Sequence, residues 1–256
     1  MKIAILGSGT MGNGIAHTFA QFGHIVNLID IDQAALNRAL TTIEKNLQRQ
    51  VDKETISFEE KSQALLKIFA FTDLKAGVAD VEFVIEAATE NVELKLDIFK
   101  SLDAFAPPKA ILATNTSSIS ITKIAAVTSR PDKVIGMHFM NPVPLMKLVE
   151  VIRGYGTSDE TTIKVFDLSR QLNKTPVEVN DYPGFIANRI LMPMINEAIY
   201  SLYEGVAGVD EIDTVMKLGM AHPMGPLQLA DFIGLDTCLS ILRVLHDGFG
   251  NHKYAP

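Results

Sequence analysis

The spacing of apolar positions changes several times along the chain, and each change predicts an element. Residues 2–6 form a short apolar run, followed by Gly7-Ser8-Gly9-Thr10-Met11-Gly12 and then by helical spacing as far as Phe22-Gly23. This predicts a strand, a glycine turn and a helix. A second apolar run, residues 25–29, ends in Asp30, 23 residues beyond Gly7, which completes a βαβ unit. Leu36, Ala39, Leu40, Ile43 and Leu47 recur at helical spacing, and Ser57 with Glu60 has the S-x-x-E form of a capping box ahead of another helical stretch. A helical hairpin inserted between strands is expected there. Apolar, β-branched runs at 81–85, 110–113, 134–140 and 148–152 predict further strands. Strands alternating with helices imply a Rossmann-type, doubly wound parallel sheet.

The pattern changes after Asp181-Tyr182-Pro183-Gly184, where strand-like runs cease. Ile186, Ile190, Met194, Ala198 and Leu202 mark one helix face ending at Gly205. Stretches 209–218 and 236–247 run up to Gly219 and Gly248, where glycine is the expected C-terminal signal. The expected organisation is an α/β domain over residues 1–182 and a smaller all-helical domain over 183–256. So much apolar surface on a small helical bundle suggests burial against a second copy, hence a homodimer.

Composition narrows the function classes. Of the 256 residues 47% are hydrophobic and 21% charged, the profile of an ordinary folded protein, and the formal charge of -7 lacks the basic footprint of a nucleic-acid binder. Cys238 is the single cysteine, which excludes an internal disulfide and suits a reducing compartment. The six histidines lack close ligand spacing, so no metal is expected. The first strand starts directly after Met1 and no apolar run reaches membrane-spanning length, so the expectation is a cytoplasmic protein with no membrane association.

The glycine turn carries the first chemistry. Gly7 permits the tight turn, Gly9 lets a pyrophosphate approach the backbone, and Gly12 lets the helix pack on the strand, with Thr10 and Met11 supplying N–H groups at the helix start. Asp30 can accept both ribose hydroxyls of NAD and repel the 2'-phosphate of NADP, with Asp32 adding to that repulsion. Asp30 can equally be read as an acid capping the helix that begins near Gln33.

Two later segments bear on the rest of the site: Ala113-Thr114-Asn115-Thr116-Ser117-Ser118, and Gly136-Met137-His138-Phe139-Met140-Asn141-Pro142-Val143-Pro144. With Lys147-Leu148-Val149-Glu150-Val151, Asp181-Tyr182-Pro183-Gly184-Phe185-Ile186-Ala187-Asn188-Arg189 and Pro223-Met224-Gly225-Pro226-Leu227, they resemble the 3-hydroxyacyl-CoA dehydrogenase family over essentially the whole chain. The likeness is strongest to bacterial members acting on 3-hydroxybutyryl-CoA. The resemblance implies NAD as cofactor, a CoA thioester as substrate, and a catalytic pair at His138 and Glu150. It also implies a substrate-contacting Ser117 with Asn188 as its partner. Nicotinamide-side contacts would fall on Glu90, Lys95, Asn115 and Asn141, and Lys53 would lie near the CoA phosphates. The family pattern continues past Pro256 into a basic, glycine-containing segment, so any cofactor contacts made there lie outside this sequence.

Each of these residues also has an ordinary structural reading. His138 alone on a strand would more often be a core histidine, Glu150 a strand-end acid, Ser117 a helix cap, and Asn188 a solvent-facing helix residue. Lys45, Arg49, Lys53, Lys61 and Lys67 form either a basic face for CoA phosphates or the solvated side of a helical hairpin. The remaining histidines, at 17, 24, 222, 246 and 252, are read as structural or exposed. Two rivals share the fold: an NAD-binding protein without catalysis, and a dehydrogenase of free hydroxy acids. A serine hydrolase built on Ser117 and His138 would need a G-x-S-x-G elbow, which is absent.

Overall fold

The computed structural model describes every residue, Met1–Pro256, and the chain divides into two compact units, Met1–Asp181 and Tyr182–Pro256. The first holds eight strands: β1 (Lys2–Leu6), β2 (Ile25–Ile29), β3 (Ile68–Phe71), β4 (Phe83–Glu86), β5 (Ile111–Thr114), β6 (Val134–Phe139), β7 (Leu148–Arg153) and β8 (Thr175–Asn180). They form one sheet in the order β3-β2-β1-β4-β5-β6-β7-β8. β1 to β6 are all parallel, because each pair is joined through a helical crossover. The central strands β1, β4 and β5 are buried almost throughout, which is why they read as continuous apolar runs rather than alternating ones. Strand order reverses between β1 and β4, and the carboxyl edge at such a switch point is where this sheet type binds its ligands.

The helices of this unit are α1 (Thr10–Gln21), α2 (Gln33–Asp52), α3 (Phe58–Leu65), α4 (Leu74–Val78), α5 (Val92–Phe105), α6 (Ile121–Ala125) and α7 (Asp159–Gln171). α2 and α3 are the inserted hairpin. α2 buries Leu36, Ala39, Ile43 and Leu47, and α3 opens with the capping box: Ser57 Oγ accepts from Glu60 N–H while the Glu60 carboxylate accepts from Ser57 N–H.

Three features depart from the pattern reading. β7 runs antiparallel to β6, because only residues 140–147 connect them, too few for a crossover. β8, parallel to β7, was not expected; as an edge strand it exposes most of its residues and lacks a long apolar run. β3 is the other edge strand and was hidden at the end of a helical segment, its Ile68-Phe69-Ala70-Phe71 too short to show a period of two.

The second unit contains α8 (Ala187–Tyr203), α9 (Val209–Gly219), α10 (Pro226–Ile233) and α11 (Leu235–Phe249). Met192, Ile195, Ala230, Cys238, Leu242, Leu245 and Tyr254 form its core. The buried Asp213 of α9 accepts hydrogen bonds from Leu227 N–H (2.9 Å) and Gln228 N–H (2.9 Å), so it satisfies the start of α10 from a neighbouring helix. A Cβ on Gly225 would sit 2.2 Å from the Asp213 carboxyl carbon, which explains the glycine there. Gly205 follows α8 at φ +74° as expected, whereas Gly248 lies inside α11 against Pro183 and the left-handed residue ending that helix is Gly250. Gly219 is likewise the last helical residue of α9. No helix of the chain is long and apolar enough to cross a membrane.

Candidate active site

The carboxyl edge of the sheet begins with the turn between β1 and α1. Gly7 donates its N–H to Ile29 O (2.8 Å) at φ +98°, and a Cβ there would lie 2.6 Å from Ala87 O. Gly12 packs so closely that its Cβ would fall 1.8 Å from Gly7 O. Gly9, by contrast, is exposed with no atom within 4 Å of the place a Cβ would take, and it caps α1 without any side-chain hydrogen bond. An open cradle therefore faces the first-turn N–H groups of α1, including those of Thr10 and Met11. Small, uncapped and positively polarised, it fits a pyrophosphate.

Asp30 stands at the end of β2 beside this cradle. Its carboxylate accepts from Ser8 N–H (2.8 Å), Ser8 Oγ (2.7 Å) and Asp32 N–H (3.1 Å). Partial burial opposes ionisation, but these hydrogen bonds prevail and hold the carboxyl below the usual range. The acid that caps α2 is Asp32, which accepts from Ala34 N–H (2.8 Å), so the capping role considered for Asp30 belongs to its neighbour. Asp32 also pairs with Arg38 at 3.3 Å, which offsets the charge it was expected to add against a 2'-phosphate.

The next stretch of the edge is built from charged side chains. Glu86 ends β4 and is fully buried; it accepts from Lys95 Nζ (2.6 Å), Thr114 Oγ1 (2.6 Å) and Ala88 N–H (2.7 Å). Lys95 of α5 is 1% exposed and also donates to Ala88 O (3.2 Å) and pairs with Glu90 (3.4 Å). Its ammonium is thus engaged within the protein. Glu90 accepts from Thr116 Oγ1, from Ser117 N–H (3.0 Å), and at longer range from Ser117 Oγ (3.4 Å) and Ser118 Oγ (3.2 Å). Burial raises its pKa, yet Lys95 and the Thr116 and Ser117 donors outweigh that, and the carboxyl lies below its ordinary value. Glu86, Thr114 and Thr116 were missed from the sequence. The available signal was a carboxylate closing an apolar strand next to the glycine turn.

β5 and β6 then bring the remaining groups together. Asn115 Oδ1 accepts from Phe139 N–H at 2.9 Å, tying the loop that bears Ser117 to the strand that bears His138. His138 on β6 lies directly across from Glu150 on β7, and Nδ1 is 2.7 Å from Glu150 Oε2. Glu150 is buried at 2% exposure, so this is no strand-end surface acid. The Glu150 carboxylate, bonded at Nδ1, thereby orients the imidazole ring. Asn141 opens the loop after β6 and is exposed, with the Asn141–Pro142 peptide cis. Another residue missed from the sequence, the buried Lys174, holds that loop from below by donating to Val143 O and Met146 O (2.7 Å), and burial depresses its pKa.

Two further predicted residues lie on helices. Lys53 is exposed at the C-terminal end of α2. Asn188 is buried in the first turn of α8, in the second unit.

An uncapped glycine turn at the switch point, a ribose-type acid and a histidine–carboxylate pair on the same sheet edge define a dinucleotide-dependent α/β enzyme. Residues 2–182 match the NAD-binding domain of 3-hydroxyacyl-CoA dehydrogenase, and residues 184–256 match its C-terminal domain. The chain belongs to the 3-hydroxyacyl-CoA dehydrogenase family. It is 53% identical to a 3-hydroxybutyryl-CoA dehydrogenase of Bradyrhizobium diazoefficiens, with all of this chain and 87% of the relative aligned. It is 42% identical to human mitochondrial hydroxyacyl-coenzyme A dehydrogenase over 96% of this chain and 80% of that protein. Among solved structures, the (S)-3-hydroxybutyryl-CoA dehydrogenase from Ralstonia eutropha superposes with a TM-score of 0.96 at 51% identity, covering 100% of this chain and 90% of that one.

Proposed function

We propose that this protein interconverts (S)-3-hydroxyacyl-CoA and 3-oxoacyl-CoA with NAD as cofactor, 3-hydroxybutyryl-CoA and acetoacetyl-CoA being the pair on which it acts. The observation that carries this reading is the His138–Glu150 pair, 2.7 Å apart on the carboxyl edge of a sheet whose first turn fits a dinucleotide. A nicotinamide cofactor held there would supply the hydride chemistry. The protein's part is proton transfer and positioning. His138 Nε2 takes the hydroxyl proton in oxidation and returns it in reduction, while Glu150 orients the ring. Ser117 donates to a substrate oxygen from a turn already organised by Glu90, and Asn188 is assigned the matching role from the helical unit. Gly7, Gly9, Thr10, Met11 and Gly12 hold the pyrophosphate; Asp30 holds the adenosine ribose and sets the preference for NAD over NADP. Asn115 and Asn141 line the nicotinamide side, and Lys53 meets the CoA phosphates.

The test is NADH oxidation with acetoacetyl-CoA against free acetoacetate. Turnover of the thioester alone is expected; turnover of the free acid alone would make the protein a dehydrogenase of free hydroxy acids, and binding of NADH without turnover of either would make it a non-catalytic relative.

The helical unit leaves Tyr203 (86% exposed), Val206 (73%), Leu218 (83%) and Phe232 (66%) open to solvent. A second copy of the chain covers this apolar surface. Sedimentation at micromolar concentration checks it, with a dimer expected and a monomer contradicting it.

A further inference from the structure

Resting on that reading of the site, we propose that Glu86 is a positioning residue of the reaction, acting through Lys95 and Glu90 to fix the turn that presents Ser117. The contacts form an unbroken chain. Glu86 is anchored on three sides, by Thr114 on β5, by Ala88 N–H and by Lys95. Lys95 connects it to Glu90, and Glu90 gathers donors from Thr116, Ser117 and Ser118. Thr114, bonded to Glu86, in turn accepts from Thr116 N–H at 3.1 Å, which closes the circuit on the same turn. A buried ion pair is a poor way to stabilise a fold, since a matched uncharged replacement is often neutral or stabilising, whereas removing one partner alone leaves a buried charge unpaired. What the pair does supply here is a single orientation. With Lys95 directed by Glu86, Glu90 has a fixed position and Ser117 a fixed backbone. Gly7 abuts Ala87 O, the residue after Glu86, so the same strand end also sets the floor of the glycine turn.

The experiment compares the wild-type chain with Glu86→Gln/Lys95→Met, which removes both charges together. The double variant leaves Glu90 with its hydrogen-bond donors but no cation, so it should fold with a modestly lowered melting temperature, yet lose between roughly 10- and 100-fold in kcat with acetoacetyl-CoA and NADH, the scale of a small misplacement at a reacting centre, while KM for the thioester changes far less. Amide deuterium exchange over residues 116–118, measured without cofactor, should accelerate relative to the rest of the sheet. A folded double variant with wild-type kcat overturns the proposal, whatever its exchange, and so does unchanged exchange. Should the double variant not fold, Thr114→Val removes only the hydroxyl clamp on Glu86, and the same signature at smaller amplitude is expected; its absence overturns the proposal. A wild-type chain inert toward acetoacetyl-CoA would sink the functional reading instead, and the exchange arm would still decide whether Glu86 and Lys95 fix the turn.

Discussion

The two halves of the site are built from different materials. Around β1, α1 and β2 the surface is main chain: Gly7 and Gly12, enforced by close approach, Gly9 left open between them, and a helix start without a side-chain cap, with Asp30 as the carboxylate beside it. From β4 to β7 it is side chain: Glu86, Lys95, Glu90, Thr116, Ser117, Asn115, His138 and Glu150, held by hydrogen bonds that cross strands. On the proposed reading, the first half grips what is constant in a cofactor, and a rigid backbone suffices. The second must place a base and donors around a changing substrate, which requires charges buried in fixed orientations.

If that division is correct, the largest effect belongs to the second half. His138→Gln should lower kcat/KM by roughly 10²- to 10⁴-fold, the range for loss of one general acid–base group, with NADH affinity retained. Steady-state kinetics with acetoacetyl-CoA beside NADH titration checks this, and near-normal turnover in the folded variant would move the proton to another group. The main-chain half has a different weakness. His17 on α1 is buried, its Nδ1 lacks a hydrogen-bond partner, and burial lowers its pKa to about 4. The native state therefore keeps the ring neutral where the unfolded chain, titrating at the ordinary value near 6.5, already binds a proton. Stability attributable to this residue is present above pH 6.5 and is lost as pH falls toward 4, by on the order of 3 kcal/mol. Urea melts at pH 7 and pH 4.5 should show His17→Gln losing less stability than wild type; identical losses would remove the ring from the account.

Asp30 and Asp32 sharpen the contrast within one turn of chain. Asp30→Ala should weaken NADH binding about tenfold, the effect of losing charge-assisted hydrogen bonds, and relax discrimination against NADPH. A wild-type enzyme that uses NADPH more efficiently than NADH would refute the assignment. Asp32→Ala should cost about 1 kcal/mol of stability as a lost helix cap, while the ratio of NADH to NADPH affinity stays as in wild type. Thermal melts and paired titrations separate the two.

The same division governs what the sequence reveals. Gly7, Gly9, Gly12 and Asp30 are legible because main-chain chemistry needs particular residue types at fixed spacing. His138 and Glu150 were read only through resemblance: they are twelve residues apart on different strands, and their contact depends on an antiparallel pairing that the run lengths did not reveal. Lys174 was invisible and Glu86 marked only by its place at the end of an apolar strand, since a buried charge looks like any other Glu or Lys until its partners are placed by the fold. β8 escaped because an edge strand need not be apolar on both faces, and β3 because four apolar residues at the end of a helical stretch show no period of their own.

The short connection between β6 and β7 has a consequence for redesign. Because those strands form a hairpin, the acid–base pair and Asn141 travel together on one contiguous stretch, residues 134–153, rather than being assembled from distant crossovers. Side chains alternate faces along a strand, so a one-residue insertion that slipped β7 against β6 would turn Glu150 to the opposite side of the sheet and leave His138 facing a valine neighbour. Asn141 apart, the loop can thus change in residue identity more safely than in length. β8, aligned residue for residue with β7 from Leu148↔Thr175 to Arg153↔Asn180, would have to slip along with it or lose its own pairing.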